Sequence, residues 1–169
     1  MPNVFVNRSN NKNIAYLFFK NKKISCTVGK NGIGFKKKEG DFITPKGVYK
    51  ILKIFYRSDK IKKIKSGIPI FEIKKKYKWC TDPRNNNYNS LLTIKVNCIH
   101  ENLFRDDNLY DLVLVLNYNL TKKKYKGSAI FIHCKSEKKK FTEGCIALKK
   151  EDLKTITRNL TPLTKVIIS

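Results

Sequence analysis

Two short stretches limit most tightly what this chain can fold into. Leu112-Val113-Leu114-Val115-Leu116 and Ala129-Ile130-Phe131-Ile132 are apolar without a break. Each is bounded by polar or glycine-containing sequence, and each is too short for a helix. A strand wet on one face alternates apolar and polar side chains, and these two do not. They read as strands buried on both faces. Whatever the fold, it has to cover two sides of the same sheet.

The rest of the chain supplies shorter or alternating segments. Val4-Phe5-Val6, residues 14–19 and residues 24–28 are separated by Asn-rich and Lys-rich breaks, the pattern of a β-meander. Gly29, Gly32 and Gly34 make a glycine-rich turn, but no helix pattern follows, so it is not a phosphate cradle. Residues 39–47 read as a rigid loop in which Pro45 fixes φ and Gly47 permits a sharp turn. A strand follows over 48–55, and residues 68–73 read as an edge strand. Residues 60–65 are charged and weakly amphipathic. Residues 79–89 are dense in Asn, Asp and Pro and read as an ordered loop without regular structure. Leu153, Ile156 and Leu160 share one face of a short helix with acids in its first turn, ended by Pro162. Residues 166–168 close as a strand. The expectation is one mainly β domain over 1–169, a twisted β-sandwich or open barrel with one or two short helices.

Composition narrows the function classes. At 169 residues and 41% hydrophobic content the chain has material for one core. Its net charge of +24 has two readings. Lys, Asn and Ile are abundant everywhere, which is a compositional bias. The charge also suits a polyanion such as nucleic acid, a membrane surface or an anionic wall polymer. A nucleic-acid interface wants aromatics interleaved with basic residues, whereas Phe18, Phe19, Phe55 and Phe131 sit in apolar strands, so no nucleic acid is expected. The five cysteines include no C-x-x-C pair, which argues against a zinc ribbon or a redox motif. No metal or cofactor is expected, and a monomer is assumed. The first residues lack a basic region followed by an apolar core, so no signal peptide is expected. No apolar run approaches the roughly 18 residues of a transmembrane helix.

Chemistry concentrates after the second apolar run. The run ends on His133, and Thr142-Glu143-Gly144-Cys145 follows, with Cys145 twelve residues beyond the histidine. That separation lets the chain turn back and bring imidazole and thiol together. A cysteine needs a base because the thiolate is the nucleophile, and imidazole titrates near neutrality. Gly144 fits a tight backbone whose N–H groups face an oxyanion. By this reading Cys145 alkylates faster than the other thiols, and the plain alternative is a small buried hydrophobe. Trp79, the one tryptophan, is either a rim aromatic over the core or a wall of a cleft. His100 is either a hydrogen-bonded structural histidine or a cleft-lining group. No recognised spacing joins His100, Cys98, His133 and Cys134 into a zinc site.

These residues resemble the YkuD-type L,D-transpeptidases. Ile132-His133 followed by Thr142-Glu143-Gly144-Cys145 looks like the family's histidine and Ser/Thr-x-Gly-Cys signature. Glu39-Gly40-Asp41 with Thr44-Pro45-Lys46-Gly47-Val48-Tyr49 resembles its E-G-D and T-P-x-G loop. Trp79 to Asn89, Arg105 to Asp111 and Gly127 to His133 resemble a compact bacterial branch, and the likeness spans roughly residues 24–168. The resemblance implies a β-rich fold with a cleft, peptidoglycan stem peptides as partners, and a periplasmic or cell-envelope location. It implies Cys145 as nucleophile, His133 as base and Gly144 at the oxyanion. Arg105, His100, Trp79, Thr142 and Tyr110 are the candidate substrate contacts. Two departures stand out. Glu143 replaces the family's usual histidine, and Ala147 replaces an Arg or Asn that would meet a substrate carboxylate. Arg105 is the best remaining carboxylate anchor, and pairing with Asp106, Asp107 or Asp111 is its bland alternative.

Overall fold

Residue alternation decides which way each strand faces, and the computed structural model, which describes residues 2–169, shows the outcome. The strands are β1 Val4–Arg8, β2 Ile14–Phe19, β3 Lys22–Thr27, β4 Ile33–Gly34, β5 Thr44–Pro45, β6 Gly47–Tyr56 and β7 Ile70–Glu72. They continue as β8 Lys78–Cys80, β9 Leu91–Leu92, β10 His100–Asn102, β11 Leu112–Leu116, β12 Phe131–Cys134, β13 Ile146–Leu148 and β14 Lys165–Ile168, with helix α1 over Lys150–Arg158 between β13 and β14.

The first three strands form the expected antiparallel meander. The main sheet runs β11-β12-β13-β3-β2-β1-β14-β6-β7, and a further ladder joins β11 to β6. That ladder turns the mainly β sheet into a ring, with β7 on the outer edge of β6. Inside the ring lie Val4, Val6, Leu17, Cys26, Ile54, Leu112, Leu114, Ile132, Ile146, Leu148 and Val166, joined by Leu153 and Ile156 of α1. Phe5, between Val4 and Val6, is exposed, as period two requires. The helix starts without a side-chain cap; Glu151 and Asp152 in its first turn and Arg158 in its last suit its dipole.

The two unbroken apolar runs now have their reason. Leu112, Leu114, Ile130 and Ile132 face inward, while Val113, Val115, Ala129 and Phe131 face outward into a second cluster with Phe55, Trp79, Leu103, Leu109 and Tyr110. A three-stranded sheet, β10-β8-β9, lies over that outer face. Here the sequence reading of 79–89 needs correction. Lys78–Cys80 is a strand, paired with β10 and β9, and its Asn- and Pro-rich continuation conceals it. The charged stretch at 60–65 is irregular and anchored by the buried Ile61 and Ile64. No helix of the described residues is long and apolar enough to cross a membrane.

Candidate active site

Strand register brings the histidine and the cysteine to one face. β12 and β13 run parallel, with Ile132 beside Ile146 and His133 beside Ala147. Cys145, one residue before β13, therefore lies beside Phe131 and shares the outward face of Phe131 and His133. Parallel neighbours need a crossover connection. Residues 135–145 provide it, docking on the Gly29 turn through Lys30 N–H to Thr142 carbonyl (3.0 Å) and Thr142 N–H to Val28 carbonyl (3.0 Å).

The turn into Cys145 depends on glycine. Gly144 has φ +140°, and a Cβ there would stand 2.9 Å from the Ile43 carbonyl oxygen and 3.3 Å from Ile130 Cδ1. Thr142 locks the turn: its hydroxyl donates to the Cys145 carbonyl (2.6 Å) and accepts the Gly144 N–H (3.2 Å). The loop that carries Asp41 and Thr44 braces it from behind. The Asp41 carboxylate accepts N–H groups of Lys37, Lys38 and Ile43 and an ion pair from Lys36 at 2.6 Å. Burial alone would raise its pKa, but these donors hold it below the ordinary value.

The thiol of Cys145 is buried and protonated at rest. It donates to the Ala129 carbonyl (3.0 Å) and accepts the Phe131 N–H (3.4 Å). Burial, and then the Glu101 carboxylate, push its pKa well above the ordinary thiol range. His133 is 5% exposed, and burial pulls its pKa down to about 4, so the imidazole is neutral at pH 7. Its Nδ1 lies 2.8 Å from the Cys134 carbonyl. An oxygen there assigns the proton to Nδ1 and leaves Nε2 as the base. The Tyr110 ring meets the His133 ring edge-on, with centroids 5.2 Å apart, and the Tyr110 hydroxyl donates to Glu101 Oε2 at 2.6 Å. Burial raises the Glu101 pKa above the ordinary carboxylate value, while the Tyr110 hydroxyl and the Arg105 charge oppose that rise.

His133 and Cys145 line one cavity of about 670 Å³. Thr142, Tyr110 and Arg105 line it too, so five of the expected residues converge, and Gly144 forms the turn beneath them. Trp79 and His100 do not line it. Trp79 packs edge-on against Phe131 at 5.1 Å and gives its indole N–H to Asn89 Oδ1 at 3.0 Å. His100 is half-buried with Nδ1 2.7 Å from the Cys98 carbonyl. Alternation along β10 explains this, because the next residue, Glu101, takes the cavity position. The Arg105 guanidinium is forked onto Asp107, Nε to Oδ1 at 3.0 Å, and that partner raises its pKa. It faces the cavity while paired.

Several lining residues escape the sequence reading. Glu101 is one; the lip lysines Lys135, Lys138, Lys139 and Lys140 and the floor residue Thr27 are others. The lysine run is visible in the sequence but reads as solvated loop, and Thr27 reaches the floor only by pairing with Ala147 across β3 and β13. Cys145 is buried, and Cys98 is the least buried of the five thiols.

A family model of the L,D-transpeptidase catalytic domain, YkuD, matches residues 2–168. The chain belongs to that family. Similar solved structures include L,D-transpeptidase 1 of Mycobacterium tuberculosis, at 9% identity over 99% of this chain and 62% of that one, TM-score 0.43. An L,D-transpeptidase from Mycobacterium smegmatis matches at 11% identity over 99% and 59%, TM-score 0.44. L,D-transpeptidase 3 of M. tuberculosis, solved with a faropenem-derived adduct, matches at 12% identity over 99% and 60%, TM-score 0.43. The chain thus spans about three fifths of the length of each. No curated protein matches the sequence.

Proposed function

We propose that the chain, as a single catalytic domain, is a cysteine acyltransferase that acts on peptidoglycan stem peptides in the cell envelope. The observation that carries this is the convergence of Cys145 and His133, from adjacent parallel strands, on one cavity with a cationic lip. Nε2 of neutral His133 takes the thiol proton as Sγ attacks the carbonyl of an L-to-D peptide bond. The imidazolium then gives that proton to the leaving D-residue amine, and a thioester to Cys145 remains. An amine of a second stem attacks the thioester, loses its proton to His133 and frees the thiol. Water in the amine's place makes the reaction a hydrolysis.

The oxyanion has one open backbone donor at the turn. Gly144 N–H is already given to Thr142, and Cys145 N–H has no partner among the described residues. Such a donor is worth on the order of 100-fold in rate. Arg105 and the lip lysines attract the carboxylates of the stem, with Arg105 as the forked anchor. The test is release of the terminal D-residue from a tetrapeptide stem, with crosslinked product appearing when a second stem supplies the amine. Cys145→Ala abolishes both; release that survives Cys145→Ala refutes the reading.

A further inference from the structure

The nucleophile's resting place is set by residues far from it in sequence. Ala129, whose carbonyl receives the Cys145 S–H, has φ +53°. That left-handed conformation costs an alanine about 1 kcal/mol or more, so something has to hold it. Three consecutive residues at this strand entrance are tied to other loops. Gly127 N–H is given to the Tyr88 hydroxyl (2.9 Å), the Ser128 hydroxyl to Glu39 Oε2 (2.8 Å), and Ala129 N–H to Asn89 Oδ1 (3.1 Å).

Asn89 is the member that reaches the thiol. Its side-chain amide uses every bond it has. Oδ1 accepts from Ala129 N–H and from the Trp79 indole at 3.0 Å; Nδ2 donates to the carbonyls of Tyr118 (3.0 Å) and Asn119 (3.1 Å). Its own φ of +54° suits asparagine, which tolerates the left-handed region. Ala129 is therefore held at its N–H while its backbone stands at φ +53°, and that dihedral sets the direction in which its carbonyl, in the next peptide unit, meets Sγ. No hydrogen bond joins Sγ to the His133 ring among the described residues.

Resting on the reading of Cys145 as nucleophile, we propose that Asn89 is a positioning residue for it. Through Ala129, Asn89 holds the thiol as a protonated, fixed donor from which the proton passes to His133 when substrate enters. A hydrogen bond given by the thiol stabilises the protonated form. Loosening Ala129 therefore makes the thiolate easier to form and its position worse for attack. Reactivity toward a small alkylating agent and productive acylation move in opposite directions.

The test uses the full chain. Asn89→Gly deletes the side chain while keeping a residue at ease with positive φ. Cys145 alkylation by iodoacetamide at about pH 8 is followed by peptide mass spectrometry, beside the rate of Cys145 acylation by a carbapenem. The expected result is alkylation faster by about fivefold, from one lost hydrogen bond, and acylation slower by roughly tenfold or more. Cys26 and Cys134 stay unlabelled, which shows an intact barrel. Asn89→Asp, which retains the Oδ1 acceptor, moves both rates back toward wild type. Both rates unchanged, or both falling together with the melting temperature, overturns the proposal. If Asn89→Gly does not fold, Trp79→Phe, which removes one donor to Oδ1, is read the same way: a smaller split in the same directions supports it, and no split overturns it. If the wild type itself is not acylated at Cys145, it is the nucleophile reading that fails.

Discussion

The molecule contains two histidines in closely similar local settings and very different surroundings. His100 and His133 both lie on strands, both place Nδ1 within 2.8 Å of a nearby backbone carbonyl, and both have a cysteine within two residues. The similarity ends there. His133 is 5% exposed, stands edge-on to Tyr110, and looks into a cavity shared with Cys145. His100 is half-buried outside that cavity, and its neighbour Glu101 faces in. A ring bond and an adjacent cysteine do not make a site. The register of two parallel strands does, because it delivers a cysteine twelve residues away to the face the ring occupies.

Exchanging each histidine for glutamine is the strongest way to break this comparison. His133→Gln should slow acylation of Cys145 by about 10²–10⁴-fold, the usual range for a lost general base. His100→Gln should change it by less than about threefold, as for a residue without contact to the reacting groups. Equal losses would erase the distinction.

Acid stability sharpens it next. The folded state holds His133 neutral with a pKa near 4, whereas the unfolded chain protonates it near 6.5. Protons therefore favour unfolding. The contribution of this group is complete above about pH 6.5, declines as pH falls, and is lost by about pH 4, a total of about 3 kcal/mol. Denaturant midpoints measured across this window should fall for wild type and fall less for His133→Gln. Parallel curves would mean that the ring is solvated in the folded protein.

Arg105 offers a smaller contrast between binding and structure. Its forked pair with Asp107 is partly exposed and worth about 0–1 kcal/mol. Arg105→Lys should leave the melting temperature nearly unchanged and cut turnover of a tetrapeptide stem several-fold, because lysine loses the fork. A lowered melting temperature with full turnover would reduce Arg105 to a loop former.

How much of this was legible in the sequence depends on the range of the interaction. The meander shows as alternation, the two doubly buried strands as unbroken apolar runs, and the His133–Cys145 pair as a short separation across one loop; all three are local patterns. Gly144 was legible as the glycine immediately before the cysteine. The closure of the ring by β6 and β11 was not, since it joins residues about sixty apart. Asn89 looked like one more polar loop residue because its partner, Ala129, is forty residues on. Strand β8 disappeared into its Asn-rich flank. His100 misled because a three-residue strand is too short to reveal which of two neighbours faces in. The motif does not reveal that Cys145 is buried while Cys98 is the least buried of the five thiols. Iodoacetamide labelling of the native protein, read by peptide mapping, weighs that exposure against the activation of Cys145. Cys98 labelled first is the result expected from burial, and Cys145 labelled first means that its thiolate is preformed.

The central claim is that Cys145, paired with His133, forms the covalent intermediate. Intact-mass measurement after incubation with a carbapenem, followed by peptide mapping, tests it directly. The expected result is a single adduct on Cys145, formed far more slowly in His133→Gln and absent in Cys145→Ala. No adduct on the folded protein, or one on Cys98, would contradict the account.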